Sequence, residues 1–291
     1  MTLVSEQIVK QLSKQYNFRP SRSSGQNFLV SDDILKAIVV AANLSNDDMV
    51  LEIGAGFGTL TVELLKSVRK VVSIELDKRL LLALEKLAEH HANLELIAGD
   101  VFQKLDEIAQ NFEDLRYKLV SNLPYNITSR VLRNFLENQP RPSEMTLLIQ
   151  KEVAARVVAQ PGKMSLLSVA VQFYGAPSIS IQVSRNNFWP EPNVDSAVLK
   201  IKDIGKDING YQQLLDGLSI KTFFQVVKVG FSSRRKQIHN NLSSGFNKSK
   251  DEAKKILIKS GIKSSLRPQD LTIEQWIKIA QNVKERGNID I

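Results

Sequence analysis

Three short stretches of this chain carry residues suited to gripping a ribose-bearing ligand and presenting a flat base. The first is Leu51-Glu-Ile-Gly-Ala-Gly-Phe-Gly-Thr-Leu-Thr61, where Gly54, Gly56 and Gly58 permit a tight turn and a close backbone approach. The second is a pair of acids, Glu75, which follows Gly54 by 21 residues, and Asp100 in Leu96-Ile-Ala-Gly-Asp-Val101. A carboxylate at Glu75 can accept hydrogen bonds from both ribose hydroxyls, and one at Asp100 can accept from an exocyclic amine. The third is Asn122-Leu123-Pro124-Tyr125-Asn126-Ile127. An aromatic amine is a poor nucleophile because its lone pair is delocalised into the ring. The Asn122 oxygen and the carbonyl before or at Pro124 can accept the amine hydrogens and so favour a pyramidal, more nucleophilic nitrogen. Tyr125 offers a face for a base taken out of its stack. Chemistry of this kind rests on positioning and needs no general base of tuned pKa. Each stretch alone also reads as an ordinary turn, a helix N-cap at Asp100 or a core tyrosine; their succession along the chain is what favours chemistry.

The elements that must hold these residues follow from periodicity. Ile34–Ala42, Leu60–Ser67, Leu80–His90 and Thr128–Glu137 read as helices. Met49–Ile53, Lys70–Glu75, Leu94–Ala98, Tyr117–Ser121 and Met145–Gln150 read as strands between them. That alternation predicts an α/β, doubly wound, Rossmann-like parallel sheet, with the glycine loop, Glu75, Asp100 and Asn122 all at carboxyl ends of strands. Ile179–Val183 and Ala197–Ile201 have no helix between them and are expected to pair antiparallel. Beyond about residue 205 the pattern is helical, which predicts domains at 1–205 and 206–291, the second smaller and all-helical. The loop at 52–58 is not the dinucleotide fingerprint, because Thr59 stands where the last glycine is required. Its Glu-x-Gly-x-Gly-x-Gly form resembles that of methyltransferases, whose donor S-adenosylmethionine carries a sulfonium in place of a pyrophosphate.

Composition narrows the field. The 291 residues contain no cysteine and three histidines without ligand spacing, so no metal is expected. Neither a signal peptide nor a membrane-length apolar run is visible, which predicts a cytoplasmic protein without a membrane. The net charge is +8, and residues 221–267 hold twelve Lys/Arg against two acids, a local balance of +10 that leaves −2 elsewhere. A polyanion docking on that region is one reading and a solvated lysine-rich helical face is the other.

The chain resembles the ribosomal RNA adenine dimethyltransferase family (KsgA-type) over nearly its whole length. The likeness is carried by Gly25-Gln-Asn-Phe-Leu29, Glu52–Gly58, Glu75, Gly99-Asp100, Asn122–Ile127, Gln150-Lys-Glu-Val-Ala154, Phe188-Trp-Pro-Glu-Pro-Asn-Val-Asp-Ser-Ala197 and Phe231-Ser-Ser-Arg-Arg-Lys-Gln-Ile-His-Asn-Asn-Leu242. It implies that Asn27, Leu29, Gly54, Glu75, Asp100 and Asn122 contact S-adenosylmethionine, alongside Gly56 of the same loop. It implies that Phe188 stacks on the target base opposite Tyr125. The implied activity is N6 dimethylation of two adjacent adenosines in the 3′-terminal hairpin loop of 16S rRNA, by a monomer acting in small-subunit biogenesis. Arg234, Arg235 and Lys236 are the expected RNA contacts. The chain departs from the family's pattern at Ser23 and Ser24, where basic residues are usual, with Arg19 and Arg22 further back. It departs again at Thr128-Ser-Arg130, where a proline is common, and in a short Gln160–Leu167 loop. A large-subunit rRNA adenine methyltransferase conferring macrolide resistance is the nearest alternative, and Val194-Asp-Ser-Ala197 and the stretch Arg234–Asn241 favour the small-subunit family over it. A non-catalytic ribosome-assembly factor would not need the intact cofactor residues. An NAD-linked oxidoreductase fails at Thr59.

Overall fold

The computed structural model describes residues 4–21, 25–112, 116–205 and 210–284; Arg22, Ser23 and Ser24 lie outside them. The chain divides into two compact units, Met1–Ala154 with Ala176–Ile204, and Ala155–Gly175 with Gly205–Ile291.

In the first unit, α1 (Glu6–Gln15) and the short β1 (Phe28–Leu29) precede a regular alternation. Its members are α2 (Asp32–Ala42), β2 (Met49–Ile53), α3 (Thr59–Leu65), β3 (Lys70–Glu75), α4 (Lys78–Ala88), β4 (Leu94–Ala98), α5 (Leu105–Asn111), β5 (Tyr117–Asn122), α6 (Thr128–Glu137) and β6 (Glu144–Gln150). Short polar side chains start the helices: Ser31 Oγ accepts from the Ile34 N–H of α2, and Asp77 accepts from the Arg79 N–H of α4. After α7 (Lys151–Val157) and α8 (Leu166–Tyr174), the chain returns to this unit for β7 (Ala176–Val183), β8 (Phe188–Trp189) and β9 (Ser196–Lys202).

The main sheet runs β4-β3-β2-β5-β6-β9-β7. Strands β2 to β6 pair parallel, and β9 pairs antiparallel with both β6 and β7. The Rossmann-like expectation and the antiparallel pair after residue 176 therefore both hold. Successive strands step from β2 to β3 and β4 on one side, then from β5 to β6 on the other. The reversal falls between β2 and β5, and in open α/β sheets the crevice beyond such a switch point binds the ligand. Leu51 and Leu119 sit opposite one another on β2 and β5, both fully buried. Leu35 and Ile38 of α2 cover that region in one apolar cluster with Val50, Val120 and Leu148.

The second unit is helical, with α8 joined by α9 (Gln212–Leu215), α10 (Ile220–Gly230), α11 (Ile238–Gly245), α12 (Lys250–Lys259) and α13 (Ile273–Lys284). Residues 155–175, expected from sequence within 1–205, group with this unit, and the reason is aromatic packing. Phe173 of α8 stacks on Phe223 at 4.7 Å and meets Phe224 edge-on at 5.2 Å. The amides of Gly162 and Met164 both donate to the Gln269 carbonyl. Among the described residues no helix is long and apolar enough to cross a membrane.

Candidate active site

Strand β2 ends in the glycine loop, whose backbone is fixed at both ends. The Gly54 N–H donates to the Ile74 carbonyl at 2.8 Å, and the Gly56 N–H donates to Glu75 Oε2 at 2.9 Å. Gly56 has φ +63, and a Cβ there would lie 3.1 Å from the Phe28 ring, so the position needs glycine on both counts. Glu75 closes β3 and is buried. Its Oε1 accepts from the N–H groups of Leu76 (2.8 Å) and Asp77 (3.0 Å). Burial nonetheless pushes its carboxyl above the usual range, with those amides partly offsetting it. Two donors occupy Oε1 and one occupies Oε2. Oε2 thus keeps one lone pair for a ligand hydroxyl, where the sequence predicts acceptance from both ribose hydroxyls.

Glu52, the acid at the head of the glycine motif, is also buried. Its Oε2 accepts from Thr61 Oγ1 of α3 at 2.6 Å and Ser73 Oγ of β3 at 2.8 Å. Burial raises its pKa to about 7, against the effect of the two hydroxyls and helped by nearby Glu75. Asp100 follows β4, and its Oδ1 accepts from the Phe102 N–H at 2.9 Å. Asp100 thus closes the turn after β4 and is not the N-cap of α5, which is Lys104, and it also lines the cavity wall.

At the end of β5, Asn122 Nδ2 donates to the Asn27 carbonyl at 3.2 Å. This bond sets the amide so that Oδ1 is its remaining acceptor. Gly25, at φ +65, lies against the loop after β5: a Cβ there would be 3.0 Å from the Tyr125 nitrogen. The segment 25–29 and the loop 122–126 thus meet as backbone on backbone. The Tyr125 hydroxyl and Ser196 Oγ share a hydrogen bond of 2.6 Å, and burial raises the phenol pKa, which keeps it neutral.

Three hollows surround these groups. One of about 490 Å³ is walled by Glu75, Asp100, Val101, Phe102, Ile127 and Arg130. A narrow channel shares Gly54, Glu75 and Pro124 with it and reaches Asn27, Leu29, Asn122 and Tyr125. A third hollow, about 480 Å³, shares Asn27 and Tyr125 with the channel and is bounded by Gln150, Pro190, Pro192 and Val194. The residues fit S-adenosylmethionine: a glycine-lined turn where side chains would intrude, a buried carboxylate with a spare lone pair, and an apolar wall. No three His, Asp or Glu side chains converge as a metal would require among the described residues.

The family model for ribosomal RNA adenine dimethylase matches residues 15–285. The chain belongs to that family. Of the relatives similar to it, the ribosomal RNA small subunit methyltransferase A of Dehalococcoides mccartyi (strain CBDB1) is 39% identical over 270 residues, which cover 93% of this chain and 90% of that protein. The enzyme of the same name from Streptococcus thermophilus (strain LMD-9) is 36% identical over 295 residues, covering 99% and 100%. In fold, the chain resembles a dimethyladenosine transferase from Plasmodium falciparum, with TM-score 0.73 and 24% identity, covering 89% of this chain and 98% of that one. It also resembles the 23S rRNA methyltransferase ErmE, with TM-score 0.66 and 24% identity, covering 88% and 99%. This member of the dimethylase family is accordingly an S-adenosylmethionine-dependent rRNA adenine methyltransferase.

The dimethylase places its sequence-expected residues unequally. Asn27, Leu29, Gly54, Gly56, Glu75, Asn122, Leu123, Pro124 and Tyr125 line the channel, and Asp100 lines the adjoining hollow. Phe188 lines none of the three. It pairs with Leu29 across the β1–β8 ladder and is 3% exposed within the apolar cluster of α2. Packing against Leu29 and the α2 cluster takes up its ring face, which leaves none open to a base. Arg234, Arg235 and Lys236 belong to the second unit and are exposed on the loop joining α10 and α11. Three features escaped the sequence reading. Arg130 stacks over Phe102 at 3.6 Å, at the very position noted as departing from the family's proline. The tie from Glu52 to Thr61 and Ser73 had its signal in the motif itself. The hollow at Pro190–Val194 has none in periodicity, because it arises where separate strand ends meet.

Proposed function

We propose that this enzyme transfers methyl groups from S-adenosylmethionine to N6 of two adjacent adenosines in the 3′-terminal hairpin loop of 16S rRNA. The observation that carries this reading is the position of Asn122 and Tyr125. Asn122 lines the channel that holds Glu75 and the glycine loop, and Tyr125 lines both that channel and the hollow at Pro190–Val194. When bound, the cofactor supplies an electrophilic methyl group on a sulfonium. The Glu75 lone pair and the loop at Gly54–Gly56 would hold it, with Asp100, Asn27 and Leu29 completing the site.

An adenine entering the third hollow would lie on Tyr125, with Asn122 Oδ1 accepting one N6 hydrogen and the Pro124-side carbonyl accepting the other. That fixes the amine against the channel and exposes its lone pair. Phe188 then serves as a support behind Leu29. The Tyr125–Ser196 hydrogen bond holds the ring as a wall. The basic loop Arg234–Lys236 would bind phosphates of the same RNA, in the cytoplasm and with the chain acting as a monomer. Large-subunit specificity is not favoured, since the relatives at 36–39% identity are named for the small subunit.

The test is transfer of labelled methyl groups to purified small and large subunits, followed by nucleoside analysis. The expected product is N6,N6-dimethyladenosine in small subunits only. Label in large subunits, or in a nucleoside other than a methylated adenosine, would overturn the reading.

A further inference from the structure

The second unit holds a groove of about 750 Å³, within the range of about 300–1,000 Å³ typical of small-ligand sites. Its walls come from α10, the loop after it and the end of α11. Phe231 and Phe246 are half-buried there, and Leu166 adds an exposed apolar edge. Lys228 and Arg234 are exposed on the same groove, and Gln225 and Ser232 contribute neutral donors and acceptors. Among the described residues lining it none is acidic. The groove is also preorganised. Asn241 is buried and donates to the carbonyls of Gly230 (2.5 Å) and Ser233 (2.9 Å), which fixes the loop carrying Phe231 and Arg234. Phe231 rests on Trp276 at 5.4 Å.

Partly exposed aromatic rings flanked by uncompensated cations match an unpaired nucleotide better than a peptide. The ring faces suit a base of any sequence, the cations suit its phosphates, and a purely apolar partner would leave Lys228 and Arg234 without purpose. The surrounding charge agrees, since residues 221–267 carry a net +10. We propose that this groove binds one unpaired nucleotide of the RNA substrate, its base against Phe246 and Phe231 and its phosphates on Lys228 and Arg234. The proposal rests on the RNA-methylating reading above and adds a contact to it: a base held outside the active site, in the second unit.

The experiment uses the full chain and three probes, a labelled oligo-uridine, the same length of abasic ribose-phosphate chain, and inorganic polyphosphate. Anisotropy titrations compare wild type, Phe246→Leu, Phe246→Trp and Lys228→Ala. Phe246→Leu should weaken oligo-uridine binding about tenfold and leave polyphosphate binding unchanged. Phe246→Trp should retain wild-type affinity. Lys228→Ala should weaken both probes, and the abasic chain should bind wild type no better than it binds Phe246→Leu. Cofactor affinity by calorimetry and the melting temperature serve as folding controls. If Phe246→Leu misfolds, the abasic comparison on wild type still decides, because equal affinity for abasic and oligo-uridine chains overturns the groove. Equal losses for oligo-uridine and polyphosphate in Phe246→Leu would also overturn it. Failure of the wild type to methylate small subunits would instead remove the reading on which the groove rests, whatever the titrations show.

Discussion

At the residue scale, the site turns on two buried acids that sequence treated differently. Glu75 was legible because its distance from Gly54 matches a second strand, and its position at the strand end is as expected. What sequence could not show is how much of its carboxylate the protein itself uses. Three backbone N–H groups occupy it, so Glu75→Ala would orphan them and mix a folding defect with a binding defect. Glu75→Gln keeps one acceptor and is the sharper variant. It should lower S-adenosylmethionine affinity by about 1–3 kcal/mol, and unchanged affinity by calorimetry would remove Glu75 from the site. It should lower the melting temperature less than Glu75→Ala does, since one oxygen still accepts while the NH2 group opposes a backbone N–H. Glu52 makes a different prediction. Its ordinary value of 4.5 is raised to about 7, so between those values the folded state holds a proton that the unfolded state has released. Stability from this group is complete below about pH 4.5 and is lost as pH rises through 7. Denaturant unfolding without cofactor should therefore show a loss on the order of 2 kcal/mol between pH 5 and pH 8. Glu52→Gln, which keeps an acceptor for Thr61 and Ser73, should lack most of that loss. A pH dependence identical to wild type would show that Glu52 does not titrate in this window.

At the element scale, the parallel sheet was readable because its central strands are short, buried, largely apolar runs, and β2, β3 and β4 begin and end where periodicity puts them. The short β1 and β8 were not readable. Two residues make no period, and their pairing is set by contact between distant segments. The same cause hid the state of Phe188, since sequence gives its neighbours in the chain but not the α2 cluster that covers it. In the second unit the loop between α10 and α11 was singled out by its motif, but nothing in its polar residues 232–237 shows what orders it. Its order comes from one buried side chain, Asn241, reaching back to two carbonyls, and from Gly230, where any Cβ would collide with the Trp276 ring. Asn241→Ala should cost about 1–3 kcal/mol of stability by leaving buried carbonyls without a donor. It should also weaken RNA binding while cofactor affinity stays constant, because the Arg234–Lys236 loop loses its anchor. Thermal melting, RNA anisotropy and calorimetry on that variant would check all three, and intact RNA binding would mean that the loop orders itself.

At the scale of the whole molecule, the residues expected to hold the cofactor and those expected to meet RNA fall in different units. The glycine loop, Glu75, Asp100 and Asn122 all belong to the first unit, and the run Arg234–Lys236 belongs to the second. Composition located the cationic region correctly but could not separate a docking surface from a solvated face, because both are exposed lysine and arginine on helices. The structure adds that Arg234, Arg235 and Lys236 are exposed together on a loop pinned from beneath. Phosphate contacts are independent of sequence and release counterions, so they position RNA and make its affinity fall steeply with salt. Reversing the charge at Arg234, Arg235 and Lys236 should therefore raise the KM for small subunits and flatten the dependence of affinity on salt by up to about three phosphate contacts. The kcat at saturating RNA and the Kd for S-adenosylmethionine should change little, since no residue of the cofactor cavity is altered. A minimal hairpin carrying only the target adenosines should be a poorer substrate than the assembled subunit and should respond less to the triple reversal, having fewer phosphates to offer that loop. Methylation kinetics of wild type and the triple variant across a salt series, on both substrates, measure each of these quantities. A salt slope identical to wild type would mean that the cations are only a solvated surface and that RNA is held by the first unit alone.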